Sequence, residues 1–147
     1  MGLDMYLYAR RHFWSFPEDG PDMRIAEEVA SLVGTDLKVN EIKAEAGYWR
    51  KANQVHRWFV KNVQNNTDDC GYYEVSRQDL MDLRDLCQRV ITDKSLAPVE
   101  FPTTSGFFFG ETDYDDWYYQ DLQQTVEIVD RALLLDNTWY FEYHSSW

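Results

Sequence analysis

Cysteine is scarce in this chain of 147 residues: only Cys70 and Cys87 occur, with neither a Cys-x-x-Cys pair nor a His-rich segment beside them. That spacing offers no disulfide framework and no local zinc site, so both read as reduced thiols. The three histidines, His12, His56 and His144, are scattered, and no His-x-x-x-His pair arises. Long apolar runs are missing too. No stretch approaches the ~20 residues that span a bilayer, and the opening MGLDMYLYARR carries Asp4 and lacks the basic-then-apolar order of a secretion signal. The expectation is a soluble protein that stays in the cytoplasm.

Specific catalytic words are also wanting. GFFFG at 106–110 has neither the glycine density nor the following Lys-Ser/Thr of a phosphate loop. Ser105 before Gly106 lacks the glycine two residues earlier that a nucleophile elbow needs. Cys70 lies beside two aspartates, and nearby anions raise a thiol pKa, so it is a poor nucleophile; a partnership with His56 would need tertiary proximity. DYDD at 113–116 starts like a calcium loop, but Trp117 stands where a third oxygen is required, Tyr118 replaces the glycine and Gln124 the bidentate Glu. No catalytic residue, cofactor or metal ligand is assigned.

Positive charge is what the second half lacks. The net charge is −12 at pH 7, yet residues 1–62 balance nine Lys/Arg with nine Asp/Glu, whereas residues 63–147 hold five against seventeen. Such a field disfavours direct binding to nucleic acid or anionic lipid and favours cationic partners.

With 44% hydrophobic residues, the chain can bury a core as a single domain, 1–147. Leu3, Met5 and Leu7 alternate with Asp4, Tyr6 and Tyr8, which predicts a half-buried strand. SFPEDGPD (15–22) is a turn-rich connection. Ile25, Val29, Leu32 and Val33 then predict a helix over 23–33, with Gly34 as a left-handed cap. Trp49, Ala52, Val55, Phe59 and Val63 predict a second helix from Glu45 to about Gln64, with Arg50, Lys51, Gln54, Arg57 and Lys61 on its other side. That face is the concentrated positive surface of the chain. Ser76 with Asp79 resembles a capping box, which opens a third helix to about Asp93 on Leu80, Leu83, Leu86 or Cys87, Val90 and Ile91.

Residues 95–106 read as a crossing loop, Phe107 to Phe109 as a short strand, and a fourth helix begins near Thr112 or Asp113 with Tyr118, Leu122, Thr125 or Val126, Val129 and Leu133 inward. Trp139, Phe141 and Tyr143 alternate with Tyr140, Glu142 and His144, a final strand expected to pair with the first. The fold class is α+β: about four helices on a small sheet that includes the N- and C-terminal strands.

Aromatic residues are abundant, 24 of 147, and Tyr48, Trp58, Tyr72, Tyr73, Trp117, Tyr119 and Trp147 fall outside the main apolar stripes. Either these rings complete a small core or they line a concave patch for a partner or nucleotide.

The stretches GYWRKANQVHRWFVKNVQ, DDCGYYEVSRQDL and PTTSGFFFGETDYDDWYYQDL, the MGLDMYLY start and the terminal SSW resemble a family of small proteins that recurs in bacteriophage and prophage genomes, generally without assigned function. The resemblance covers most of the chain from Glu45 onward. It implies a phage accessory gene, a class enriched in host-takeover and anti-defence proteins, and carries over no catalytic residue.

Two functions follow as expectations. One is a non-enzymatic binding protein that inhibits or diverts a bacterial host or defence protein with a basic surface, through Asp113, Asp115, Asp116, Trp117, Tyr118 and Tyr119. The other is a binder of, or enzyme on, a nucleotide-like anion through Arg50, Lys51, Asn53, His56 and Arg57, where cations hold phosphate and His56 moves a proton.

Overall fold

A computed structural model describes residues 2–147. Four strands, β1 (Asp4–His12), β2 (Glu41–Arg50), β3 (Tyr72–Val75) and β4 (Tyr140–Ser146), form one antiparallel sheet in the order β2-β1-β4-β3. The helices are α1 (Pro21–Leu32), α2 (Asn53–Asn62), α3 (Arg77–Thr92), a short α4 (Ala97–Glu100) after one 3-10 turn, and α5 (Asp116–Leu133). The class is α+β, with the first and last strands adjacent at the centre of the sheet.

Alternation decides which side of the sheet is dry. Leu3, Met5, Leu7 and Ala9 of the β1 segment, Trp49 of β2, Val75 of β3, and Phe141 and Tyr143 of β4 are buried against α2, α3 and α5 in one cluster. Phe59 of α2 stacks on Tyr143 with ring centroids 3.9 Å apart. Trp49 donates its indole N–H to Thr125 Oγ1 at 2.9 Å, so the polar atom of a buried ring is paired. α5 reaches the sheet closely because residue 47 has no side chain: a Cβ there would lie 2.3 Å from Ile128.

Residues opposite one another across antiparallel strands share a face, and the outer face accordingly carries the row Tyr48, Tyr6, His144, Tyr72 through all four strands. Tyr72 and His144 stack at 4.0 Å, Tyr6 lies 5.3 Å from Tyr48, and Lys43 Nζ sits 3.9 Å from the Tyr8 ring. Much of the aromatic surplus is thus a ladder of rings shielding one another.

Three expectations need correction. The helix read from Glu45 is a strand to Arg50 and a helix only from Asn53. Trp49 points inward from β2 and happens to fall three residues before Ala52, so one apparent stripe joined two elements. Lys51, at the joint, has φ of +58°, a conformation costly for a side chain with a Cβ. Phe107 to Phe109 form no strand: Phe109 N–H bonds Gly106 O at 3.1 Å in a turn, and Phe107 is 94% exposed. The fourth long helix starts at Asp116, not near Thr112, because Asp115 supplies the cap, its carboxylate accepting from Tyr118 N–H at 3.0 Å. Strands β2 and β3 were not foreseen.

Two smaller readings also change: residues 95–106, read as a crossing loop, include most of a 3-10 turn (Lys94–Leu96) and the short α4, and Leu32 and Val33 of the stripe read for α1 are exposed while Ala26 and Ala30 are buried. Ser76 and Asp79 form the reciprocal capping box that opens α3. Gly34 follows α1 with φ of +75°. Cys87 is buried in the core and Cys70 is half-buried; both are free thiols, and burial pushes the Cys87 thiol up.

Candidate functional site: two clefts on α2

The start of α2 is fixed by its first residue. Asn53 is buried; its Nδ2 donates to Phe109 O at 3.1 Å and Glu111 O at 2.8 Å, while Oδ1 accepts from Thr104 N–H at 2.9 Å. One amide therefore holds the loop that joins α4 to α5, and a buried amide so paired is expensive to remove. Between this loop, α2 and the start of α5 lies a cleft of about 290 Å³, lined by Arg50, Lys51, Asn53 and Gln54 on one side and by Glu111, Asp113, Asp115, Trp117, Tyr118 and Asp121 on the other.

The acidic and aromatic stretch and part of the basic set thus face each other. Trp117 is 73% exposed, next to exposed Asp113, Asp115 and Asp116. Tyr118, one position on, points the other way into the core: it is buried, donates its hydroxyl to Phe101 O at 2.7 Å, and has its pKa raised by that burial. Asp116 and the half-buried Tyr119 turn toward a separate groove, where Lys94 Nζ lies 4.5 Å from the Tyr119 ring. The six positions of the acidic aromatic stretch are therefore divided among cleft, core and groove.

The basic set is divided as well. Arg50 pairs with Asp4 at 2.7 Å, and the hydrogen bond from Tyr48, with Arg50 beside it, holds the Asp4 carboxyl below its usual range. Lys51 lines the Trp117 cleft. Arg57 opens onto a different cleft.

His56 is 1% exposed, between the Tyr143 hydroxyl at 2.7 Å from Nδ1 and the Asp68 carboxylate at 3.0 Å from Nε2. An ionised carboxylate only accepts, so Nε2–H donates to Asp68 and Nδ1 accepts from Tyr143. Burial lowers the His56 pKa, and Asp68 offsets part of that shift. The network is satisfied internally, and the indole N–H of Trp147 completes it on Asp68 at 3.1 Å.

Asp121, absent from the expectations, sits in the wall of the Trp117 cleft. Burial pushes its carboxyl up to about 6; the hydrogen bond from Gln54 Nε2 at 3.1 Å opposes the shift and the charge of Asp115 adds to it. The signal was legible: Tyr118, Asp121, Leu122 and Thr125 stand at one face of a helical period, so an acid was placed on an apolar stripe.

Among the described residues, no group of three His, Cys, Asp or Glu side chains is arranged to hold a metal ion, and no helix is long and apolar enough to cross a membrane. Compared with known proteins, the chain matches no family model, no curated protein and no solved structure.

Proposed function

We propose that this chain is a non-enzymatic binding protein that inhibits or diverts a bacterial host or defence protein, docking an acidic and aromatic surface onto a basic one. The observation that carries the reading is the exposure of Trp117 at 73%, on the rim of a cleft that also bears Asp113 and Asp115. A large ring left in water beside carboxylates matches the anatomy of an interface hot spot, in which an aromatic anchor supplies affinity and surrounding charge supplies steering. The phage resemblance of the sequence suggests the cellular setting, and the regional acidity suggests the sign of the partner's surface. Burial of Tyr118 narrows the contact set to Asp113, Asp115, Asp116, Trp117 and the exposed edge of Tyr119.

The test is affinity capture from bacterial lysate at low salt, followed by titration of the captured protein against variants. Trp117→Ala should weaken binding by at least about 30-fold, roughly 2 kcal/mol, at every salt concentration. Asp115→Asn with Asp116→Asn should weaken it at low salt and flatten the salt dependence. Stability should persist in the double variant, since Asn caps a helix as well as Asp does. Full affinity in Trp117→Ala would sink the reading.

A further inference from the structure

Across α2 from Trp117 lies a second cleft of about 390 Å³, between α2, α3, α4 and the two residues that follow it, with Glu100 the one carboxylate in its lining. Its apolar surface comes from Leu86 and Phe101, both buried, with half-buried Trp58 and exposed Val99 alongside. Three cations converge on it: Arg57 and Lys61, one turn apart on α2, and Arg89 from the last turn of α3.

Arg89 is bonded to Glu100 at 2.7 Å, but Arg57 and Lys61 make no ion pair among the described residues. Like charges one turn apart on a helix repel. The helix dipole accounts for Lys61 in the last turn of α2, and the α3 dipole together with Glu100 accounts for Arg89; neither accounts for Arg57 beside Lys61. Solubility gives no reason either, because a chain of net charge −12 is already well charged. A positive pocket on an acidic protein is instead a local potential well for an anion.

We infer that this cleft binds a small organic anion, with a phosphate or carboxylate head on Arg57, Lys61 and Arg89 and a flat apolar body against Trp58 and Phe101. Size and charge set the class. A volume near 390 Å³ suits a molecule the size of a mononucleotide, and the negative field of the remaining surface turns away polyanions such as nucleic acid while a single anionic head still fits. Planar guanidinium groups offer paired donors to phosphate or carboxylate oxygens, and Trp58 offers a stacking wall. The site uses neither Trp117 nor its carboxylates, so it stands or falls independently of the partner surface.

The experiment is isothermal titration of the whole chain with adenosine 5′-monophosphate and with phenyl phosphate, and with inorganic phosphate and adenosine as the separated halves. Saturable binding of at least one aromatic phosphate is expected, at least tenfold tighter than either half. Arg57→Ser with Lys61→Ser should lower that affinity at least tenfold, Trp58→Leu should lower it severalfold, and Trp117→Ala should leave it unchanged.

Because Trp58 packs against the core and its replacement also costs stability, amide and indole shift mapping on the unaltered chain gives a second readout. Perturbations should centre on the Trp58 indole and the amides of Arg89 and Val99. Absence of binding by both aromatic phosphates, full affinity in the double serine variant, or shifts centred on Trp117 would each overturn the inference.

Discussion

The cleft beside Trp117 and the cleft beside Trp58 both touch Gln54 of α2, but they are built by different means. The first has an irregular wall, a loop held to the helix by the three hydrogen bonds of Asn53. The second is walled largely by α2 and α3, whose positions follow from packing on the sheet. A wall fixed by one polar side chain can be loosened locally, whereas a wall fixed by core packing yields only when the fold does. The acidic cleft is therefore the separable one, and the basic cleft is tied to global stability.

The largest expected effect tests the shared anchor. Phe59→Ala removes the ring that stacks on Tyr143 and meets the edges of Trp49 and Trp58. It should cost about 3–5 kcal/mol through lost burial and the cavity left behind, read from the urea midpoint, and should degrade both clefts together. A loss below about 1 kcal/mol would show that α2 is positioned by something other than this contact.

Asn53→Ala sharpens the contrast. It strands the Phe109 and Glu111 carbonyls and the Thr104 N–H, and should cost about 2–3 kcal/mol. Hydrogen exchange should quicken over 103–111 and remain slow in α3. Equal loosening of both regions would erase the distinction.

A smaller effect concerns the wall that Asp121 provides. Its folded-state pKa, about 6, lies above the ordinary carboxylate value, so between about pH 4 and 6 the folded chain keeps a proton that the unfolded chain has released. Stability from this group is present at low pH and lost as pH rises through 6. Asp121→Asn should then be more stable than the parent by about 2 kcal/mol at pH 8, with the difference gone near pH 4. His56 works with the opposite sign: its lowered pKa means that stability falls as pH drops below about 6.5. The two slopes oppose each other in the parent, so paired denaturation curves at pH 5 and pH 8 on the variant and the parent expose the Asp121 contribution. A pH-independent difference would remove it.

Local pattern carried the framework of the fold. β1 and β4 were legible because large apolar residues alternate without interruption, Leu3 to Leu7 and Phe141 to Tyr143. The start of α3 was legible because a capping box is a local device. β2 was hidden because a register shift opposite Leu7 and Tyr8 breaks its alternation at Ala46, its first half is mostly exposed, and residue 47 has no side chain; pairing with β1 rather than propensity makes it a strand. β3 has four residues and exists by joining β4.

The candidate site was half visible for a similar reason. Composition marked the aromatic stretch, but the period of α5 decides that Trp117 faces water and Tyr118 does not. That α2 would stand between an acidic and a basic cleft depends on how three helices pack, which no local window contains.

One feature of the sheet bears on how the chain reaches this state. β1 lies between β2 and β4, and its pairing with β4 joins Asp4 to Ser146. During synthesis one side of β1 can zip to β2 early, while the other side waits, with its ladder open, until β4 has been made. Such distant closure slows folding and lengthens the time for which a sticky edge is available to neighbouring chains, which makes yield in a crowded cell sensitive to the speed of that last step.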